Sequence, residues 1–358
     1  MVSILTHRLR NQHLVGPRLP TPAAVVAWLG AVQSQDPVGA RWAVAQRTRT
    51  PSEAAVRAAL DAGTIVRTHV LRPTWHFVMA EDLRWMLELT APRIRNAAAA
   101  YYRQAGLTAK VFAACHAVIA RSLEAGRHLT RRDIGAALAR AGRPIAGQAL
   151  GHVLMQAELD GLICSGASQG LQATYALVGE WVASPRSLTR DEALAALAER
   201  YFRSHGPALV ADFAWWSGLT ARDAKAAVAM VTPALEQRVV DGRAYWHRGD
   251  TAGRPAASGH LLPNFDEYTV AYRDRTLLWP SARPSMDALG NVVSLNGRLA
   301  GFWSRTIGAG RMTVDIAPER ELTAAEWRRV EGEARRFAEY LDPRPELRLL
   351  ERGRPRRS

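Results

Sequence analysis

Hydrophobic residues recur three and four positions apart along much of the chain, which is the spacing of amphipathic helices. Several of these stretches begin with a threonine that is followed three residues later by an acid, as in Thr130 with Asp133 and Thr189 with Glu192. The hydroxyl can accept hydrogen bonds from the free N–H groups of a first helical turn, and the acid can bond back. The pattern predicts a mainly helical protein.

Residues 129–178 add a second pattern to this helical background. Two short helices, at about 130–141 and 147–160, are separated by a turn at Gly142 and Pro144. Strand-like segments on either side of the SGASQG loop follow them. Two helices and a hairpin form the winged-helix arrangement. The same order recurs less regularly at 52–78 and 189–247, so we predict an α+β fold that is mainly α with small β-hairpins. A plain all-α protein with scattered hairpins is the alternative.

The last hundred residues change character. A Gly- and Ala-rich loop at 250–260 precedes segments that alternate like strands up to residue 317, with turns at Asn296-Gly297 and at 308–310. A final helix is expected from Thr323 to about Leu341, followed by a basic, frayed tail at 352–358.

Composition and charge narrow the class of protein. The 358 residues contain no apolar run long enough to span a membrane and begin with no signal peptide, so we expect a cytoplasmic, nucleoid-associated protein without a membrane partner. The net charge is +14, almost all of it from arginine. This excess favours an anionic partner, of which nucleic acid is the commonest, over a merely basic surface.

The usual catalytic motifs are missing from the sequence. Cys115 and Cys164 are far apart in apolar surroundings, which indicates packing rather than metal binding. No Gly-rich phosphate loop, H-E-x-x-H or G-x-S-x-G is present. We therefore expect no metal and no cofactor. What remains is a DNA-binding protein or an enzyme whose catalytic groups are inconspicuous.

Three stretches contain candidate functional residues. In AVQSQDP, residues 31–37, Gln33 and Gln35 stand where a helix is predicted to stop at Asp36-Pro37, and by spacing alone they are polar residues at a helix end. In LRPTWHFVM, residues 71–79, a strand histidine beside a tryptophan is more often a packing residue than a catalyst. Residues 200–219 predict a core helix entered at Gly206-Pro207, with Trp215 and Trp216 in the core.

Five motifs, in order, resemble those of the AlkZ/YcaQ family of winged-helix DNA glycosylases: QSQDP, LRPTWHF, RYFRSHGPALVADFAWWSGL, LLPNFDEYTVAYRDR and NGRLAGFWSR. The resemblance covers about residues 5–340. It implies three tandem winged-helix units that form a C-shaped DNA-binding channel, at 1–125, 126–183 and 184–358. It also implies a monomer that acts on double-stranded DNA with alkylated purines. The implied activity is monofunctional hydrolysis of the N-glycosidic bond of N7- or N3-alkylated purines, including bulky natural-product adducts and interstrand crosslinks.

The same resemblance assigns roles to individual residues. Gln33 and Gln35 match the catalytic Gln-x-Gln motif of the AlkZ branch, and Ser34 stands where that branch usually has an aliphatic residue. Other residues are implied to line the site or to contact DNA: Arg72, Thr74, Trp75, His76, Arg298, Arg305 and Arg311. Some branch members in actinobacteria protect antibiotic producers from their own DNA-alkylating product, and an Arg- and Ala-rich composition suits such a host.

The chemistry of glutamine is compatible with this reaction. An amide cannot ionise, but it can orient a water molecule and stabilise developing charge through its dipole. That is sufficient when the leaving group is already good, and an N7- or N3-alkylated purine is cationic, so its departure needs no acid. The competing hypothesis is a non-catalytic winged-helix transcription regulator, which would prefer one DNA sequence over others by several kcal/mol.

Overall fold

Helices and small sheets alternate along the chain. The computed structural model describes residues 3–170, 172–183, 185–249, 257–279, 290–308, 310–341, 344 and 346–351. Helices account for about half of these residues and several small sheets for most of the remaining regular structure, so the protein has a mixed α+β fold, as the sequence predicts. None of the helices in these ranges has the length and apolar character that a bilayer crossing requires.

The first third contains five helices and a three-stranded sheet: α1 (Ile4–Asn11), α2 (Pro22–Leu29), β1 (Val32–Gln33), α3 (Pro37–Ala45), α4 (Glu53–Asp61), β2 (Ile65–His69), β3 (Trp75–Met79) and α5 (Leu83–Gln104). The antiparallel strands have the order β1-β3-β2. The helix and two strands predicted within 52–78 are confirmed. The predicted helix end at Asp36-Pro37 is wrong, because α2 ends at Leu29 and Asp36 instead caps the start of α3.

The middle of the chain contains α6 (Ala109–Leu123), β4 (Leu129–Thr130), α7 (Arg131–Arg140), α8 (Gly147–Leu159), β5 (Ile163–Gln169), β6 (Gln172–Leu177) and α9 (Val178–Trp181). The two helices and the hairpin predicted within 129–178 are confirmed. Thr130 and Asp133 form the predicted capping box, in which each side chain bonds to the backbone N–H of the other residue. Strand β4 adds to the hairpin, which gives the order β4-β6-β5.

The next segment contains α10 (Arg190–Ser204), α11 (Val210–Ser217), α12 (Ala221–Val231), β7 (Glu236–Val240) and β8 (Arg243–His247). Helices α10 and α12 and the hairpin that turns at Asp241-Gly242 match the prediction. Helix α11 follows the Gly206-Pro207 step, as expected, and Gly218 ends it in the left-handed conformation at φ 68°.

The C-terminal part contains β9 (Gly259–Leu262), α13 (Glu267–Val270), β10 (Val292–Leu295), β11 (Arg298–Gly308), β12 (Arg311–Pro318), α14 (Ala324–Tyr340) and β13 (Glu346–Glu351). The sheet order is β13-β12-β11-β10-β9, with only β13 parallel to its neighbour. The predicted turn at Asn296-Gly297 and the last helix are confirmed, whereas β13 was not predicted. Gly308 pairs with Arg311 across the second predicted turn, of which residue 309 lies outside the described residues. The predicted tail at 352–358 and residues 250–256 of the predicted loop lie outside the described residues.

The N-terminal helices pack directly against the C-terminal sheet. Trp42 on α3 is completely buried, and its indole N–H donates to the carbonyl oxygen of Leu261 on β9 at 2.9 Å. Its ring meets that of Phe337 on α14 edge-on, with centroids 4.9 Å apart. Residues distant in sequence therefore share one hydrophobic core. In the same packing the backbone N–H of Gln33 meets the carboxylate of Glu267 at 2.8 Å.

Candidate active site

The QSQDP segment crosses from a strand to a helix at the edge of the first sheet. In the pairing of β1 with β3, Gln33 lies opposite His76, and the next N–H, that of Ser34, donates to the carbonyl oxygen of Trp75 at 2.7 Å. The side chain of Asp36 then accepts from the N–H of Val38 at 3.0 Å, which caps α3. The two glutamines are therefore held between two regular elements.

The two glutamine side chains have different environments. Gln33 is buried, with 5% of its surface exposed, and its Oε1 accepts a hydrogen bond from Nη2 of Arg72 at 2.7 Å. Gln35 is exposed, and its Oε1 makes only a long contact of 3.5 Å with the N–H of Trp75. Ser34 between them is completely buried, and its hydroxyl has no hydrogen-bond partner among the described residues. Its position is thus one where an aliphatic side chain would also be buried.

Arg72 reaches Gln33 from a turn with an unusual backbone. Leu71 has φ 64°, a left-handed conformation that a branched residue rarely adopts. Two contacts hold it there: its N–H donates to Thr90 Oγ1 at 3.1 Å, and Gly218 packs against its carbonyl oxygen. A Cβ on Gly218 would lie 2.0 Å from that oxygen, so only glycine fits. Such strain is common at functional sites, where the surrounding structure maintains it.

Glu267 is a completely buried carboxylate behind Gln33. Its Oε1 accepts the backbone N–H of Gln33 at 2.8 Å. Its Oε2 accepts the indole N–H of Trp216 at 2.8 Å and lies 3.3 Å from Nε2 of His205. The carboxylate thus links the Gln-x-Gln segment to helices α10 and α11.

The neighbouring residue fixes the backbone that carries Glu267. Asp266 accepts two hydrogen bonds from the guanidinium group of Arg47, at 2.9 and 2.8 Å, and both residues are buried. Asp266 also accepts the N–H of Tyr268 at 2.8 Å. A buried bidentate pair of this kind has a defined geometry. The buried ion pair of Arg47 with Asp266 therefore fixes the position of Glu267.

The charges around Gln33 balance each other. Burial alone would raise the pKa of Glu267, but His205 and the N–H of Gln33 oppose this, and the pKa lies below its usual value. Burial lowers the pKa of Arg72, while the charge of Glu267 works in the opposite direction. Burial, followed by the charge of Arg72, lowers the pKa of His76 to about 3, so this histidine is neutral. Gln33 therefore has a cation at its side-chain oxygen and an anion at its backbone N–H.

The structure also shows where the other candidates of the 71–79 stretch lie. His76 is completely buried, and its Nδ1 donates to the carbonyl oxygen of Thr74 at 3.0 Å. Thr74 is half-buried, with a hydroxyl that has no hydrogen-bond partner among the described residues. The half-buried ring of Trp75 carries the guanidinium group of Arg67 at 4.3 Å from its centroid. These residues form the wall around Gln33 and Gln35.

Trp215 departs from its prediction. It is 42% exposed, whereas the neighbouring Trp216 is buried as expected. The reason is helical geometry, since consecutive residues of α11 point about 100° apart and only one can face the core. The indole N–H of Trp215 donates to the carbonyl oxygen of Val270 at 3.0 Å, and the guanidinium groups of Arg72 and Arg275 lie 5.9 and 5.7 Å from its ring centroid. An anchored, exposed indole thus adjoins the arginine that holds Gln33.

The three arginines of the late hairpin do not form one patch. Arg298 and Arg311 are exposed but stand near opposite ends of β11, about 30 Å apart at the rise of a strand. Arg311 also lies 3.4 Å from the carboxylate of Glu346. Arg305 is half-buried, with its guanidinium group 5.3 Å from the ring centroid of Phe337. Arg311 is the one next to the turn at 308–310.

The sequence reasoning missed the residues that fix Gln33 from behind. Glu267, His205 and Arg47 received no role, although the first two belong to motifs that carried the family resemblance. A signal was present in NFDEY, where two adjacent acids stand between two aromatic residues. Buried acids need partners, so such a segment indicates an internal ion pair. No cluster of three or more metal-ligating side chains occurs among the residues that the structure describes.

Comparisons with known proteins bear on what this site does. The family model of the DNA glycosylase AlkZ-like proteins matches residues 26–340. An interstrand DNA cross-link repair glycosylase from Streptomyces sahachiroi is 24% identical, with 84% of this chain and 86% of that protein covered. The solved structure of Streptomyces sahachiroi DNA glycosylase AlkZ has the same fold, with a TM-score of 0.78, 23% identity and coverage of 97% and 98% of the two chains. The chain belongs to the AlkZ-like DNA glycosylase family.

Proposed function

We propose that this protein is a monofunctional DNA glycosylase that hydrolyses the N-glycosidic bond of N7- or N3-alkylated purines and leaves an abasic site. Gln33 and Gln35 are the catalytic residues. The observation that carries the proposal is the pair itself: Gln33 is fixed at its side chain by Arg72 and at its backbone by Glu267, and Gln35 is exposed two residues away. The family to which the chain belongs supports DNA as the substrate.

The reaction suits a site without an exposed general acid. An alkylated purine carries a positive charge, and breaking its bond to C1′ neutralises the base. The positive charge that develops on the deoxyribose can be stabilised by amide dipoles, which also orient the attacking water. The only two lysines, Lys110 and Lys225, are exposed on α6 and α12. Neither is among the residues that contact Gln33 or Gln35, so we expect no Schiff base with the sugar and no lyase step.

The DNA would be held by three winged-helix units, at 1–125, 126–183 and 184–358, arranged around a C-shaped channel. Helices followed by a hairpin occur in each of these ranges. The net charge of +14 favours largely sequence-independent binding that weakens with salt. In this arrangement Arg311 and the turn at 308–310 enter a groove, and the protein acts as a monomer. Because the Streptomyces sahachiroi relative is an interstrand DNA cross-link repair glycosylase, a crosslinked duplex is a substrate to test.

A cleavage assay tests the proposal. Duplexes containing 7-methylguanine, a bulky N7 adduct or an interstrand crosslink are incubated with the protein and then heated in alkali, which breaks the strand at abasic sites. We expect breaks at the lesion only after alkali treatment. Breaks before alkali would contradict the monofunctional mechanism. No breaks with any substrate, together with strong preference for one undamaged sequence, would instead support the transcription regulator.

Two variants test the assignment of the site. We expect Gln33→Ala and Gln35→Ala each to lower the single-turnover excision rate by about 100- to 1000-fold, as removal of an oriented transition-state hydrogen bond does. Gln104→Ala is the matched control, because Gln104 is an exposed glutamine at the end of α5, outside the helix-and-hairpin stretches proposed to hold DNA. Excision at the wild-type rate by folded Gln33→Ala or Gln35→Ala protein would show that the site lies elsewhere.

A further inference from the structure

The contact between Arg72 and Gln33 fixes which way the Gln33 amide points. A guanidinium group has only N–H donors, so the Gln33 atom that faces it must be the carbonyl oxygen. The distance from Arg72 Nη2 to Gln33 Oε1 is 2.7 Å. A flipped amide would place its NH₂ group against the N–H of Arg72, donor against donor. The NH₂ group of Gln33 must therefore point away from Arg72.

Both ends of Gln33 are fixed. Its backbone N–H is bonded to the buried carboxylate of Glu267, which is itself held by the indole of Trp216. Its side chain is bonded to Arg72, whose position follows from the strained Leu71 turn packed against Gly218. Gln35 has neither restraint, since its amide is exposed and makes only a 3.5 Å contact. The two catalytic amides are therefore not equivalent.

We propose that Arg72 and Glu267 are positioning residues that fix Gln33 as a hydrogen-bond donor to the departing purine, whereas Gln35 is the acceptor that orients the attacking water. This division of roles rests on the proposed glycosylase function. Gln33 and Gln35 touch the substrate and the water, and are the catalytic residues. Arg72 and Glu267 act through Gln33.

The division of roles fits the electron flow of the reaction. The electron pair of the C1′–N9 bond leaves with the alkylated purine, so acceptor atoms on that base become more basic as the bond breaks. A donated hydrogen bond from Gln33 consequently strengthens in the transition state, which is the condition for catalysis. The oxygen of the attacking water forms the new bond to C1′. Its proton passes to bulk solvent at Gln35, because an amide oxygen does not retain a proton at neutral pH.

Glutamate substitutions distinguish a donor from an acceptor. Gln33→Glu keeps the shape of the side chain and pairs with Arg72, but it has no N–H to donate. Gln35→Glu keeps the acceptor. We expect Gln33→Glu to lower the single-turnover rate on 7-methylguanine DNA by about 100-fold or more. We expect the loss in Gln35→Glu to be at least about tenfold smaller. Gln104→Glu, at the exposed end of α5, controls for the added negative charge.

Substitutions of Arg72 test the positioning role separately. Lysine can donate to the Gln33 oxygen and methionine cannot, although both fill a similar volume. We expect Arg72→Met to lower the single-turnover rate about as much as Gln33→Glu, and Arg72→Lys to recover part of it. Gln33→Glu removes the hydrogen bond donated to the purine, and Arg72→Met removes the contact that positions that donor. Both changes act on the same donated hydrogen bond, so their effects in the double variant should not be additive. Melting temperatures establish that each variant is folded.

The outcomes separate this inference from the function on which it rests. If the wild-type protein excises no alkylated purine, the proposed function fails. If the wild type excises and Gln33→Glu retains most of its rate, the function stands and the donor role is overturned. A rate loss in Gln35→Glu as large as that in Gln33→Glu, or no difference between Arg72→Lys and Arg72→Met, also overturns the division of roles.

Discussion

The buried carboxylate of Glu267 gives a quantitative prediction. It accepts the N–H of Gln33 and the indole N–H of Trp216, both at 2.8 Å, and Nε2 of His205 lies 3.3 Å away. Nδ1 of His205 faces the hydroxyl of Ser204 at 2.8 Å, so the ring lies between Ser204 and the carboxylate of Glu267.

Glu267→Gln is predicted to keep the hydrogen bond from the Gln33 N–H and to lose the one from the Trp216 indole. The new amide oxygen can accept the Gln33 N–H, and the new NH₂ group then stands in the place of Oε2. The indole N–H of Trp216 is then left facing a donor in a site without solvent. Leaving a buried donor unsatisfied costs about 1–3 kcal/mol, and we expect Glu267→Gln to lower the free energy of unfolding by that amount.

A double-mutant cycle with Trp216→Phe tests this accounting. Phenylalanine has no N–H to leave unsatisfied, so Glu267→Gln should cost less in the Trp216→Phe background, by about 1–2 kcal/mol. The measurement is the free energy of unfolding by urea for all four proteins, followed by both tryptophan fluorescence and circular dichroism. An equal cost of Glu267→Gln in both backgrounds would refute the contact between the carboxylate and the indole.

Three further predictions concern other parts of the molecule. Trp215→Ala should weaken binding to duplex DNA containing a stable abasic-site analogue by about 5- to 100-fold if the exposed indole stacks on a base. Val239→Ala, at a residue 67% exposed on β7, should leave this affinity unchanged. Equal affinities of the two variants would contradict a DNA contact of Trp215. Gly218→Ala should displace the Leu71 turn and reduce the excision rate, because Gly218 has φ +68° and the new Cβ would lie 2.0 Å from the Leu71 carbonyl oxygen. Excision at the wild-type rate would show that the Leu71 turn does not position Arg72 for catalysis. Burial, with nearby arginines, lowers the pKa of His260 to about 3, so below pH 6.5 the unfolded chain binds a proton that the folded chain binds only near pH 3. The free energy of unfolding should therefore fall as the pH decreases from about 6.5 towards 3. His260→Asn should reduce the slope of this free energy against pH by up to about 1.4 kcal/mol per pH unit. Urea titrations at several pH values would detect this change or rule it out.

Local sequence determined the regular elements of this protein. The capping boxes of α7, α10 and α14 follow from a threonine with an acid three residues later, a pattern that acts within one helical turn. The hairpin turn at Asp241-Gly242 and the turn at Asn296-Gly297 likewise follow from residues that tolerate positive φ. The order of motifs was also sufficient to indicate the family.

Tertiary structure decided the character of the candidate site. By itself QSQDP resembled a polar helix end, but pairing of β1 with β3 made it a strand end and buried Gln33. The partners of Gln33 are Arg72 and Glu267, which are 39 and 234 positions away in the chain. Periodicity and capping report only on neighbours a few residues apart, whereas these contacts form when the N-terminal helices pack against the C-terminal sheet. The difference between a fixed Gln33 and an exposed Gln35 therefore came from the folded structure alone.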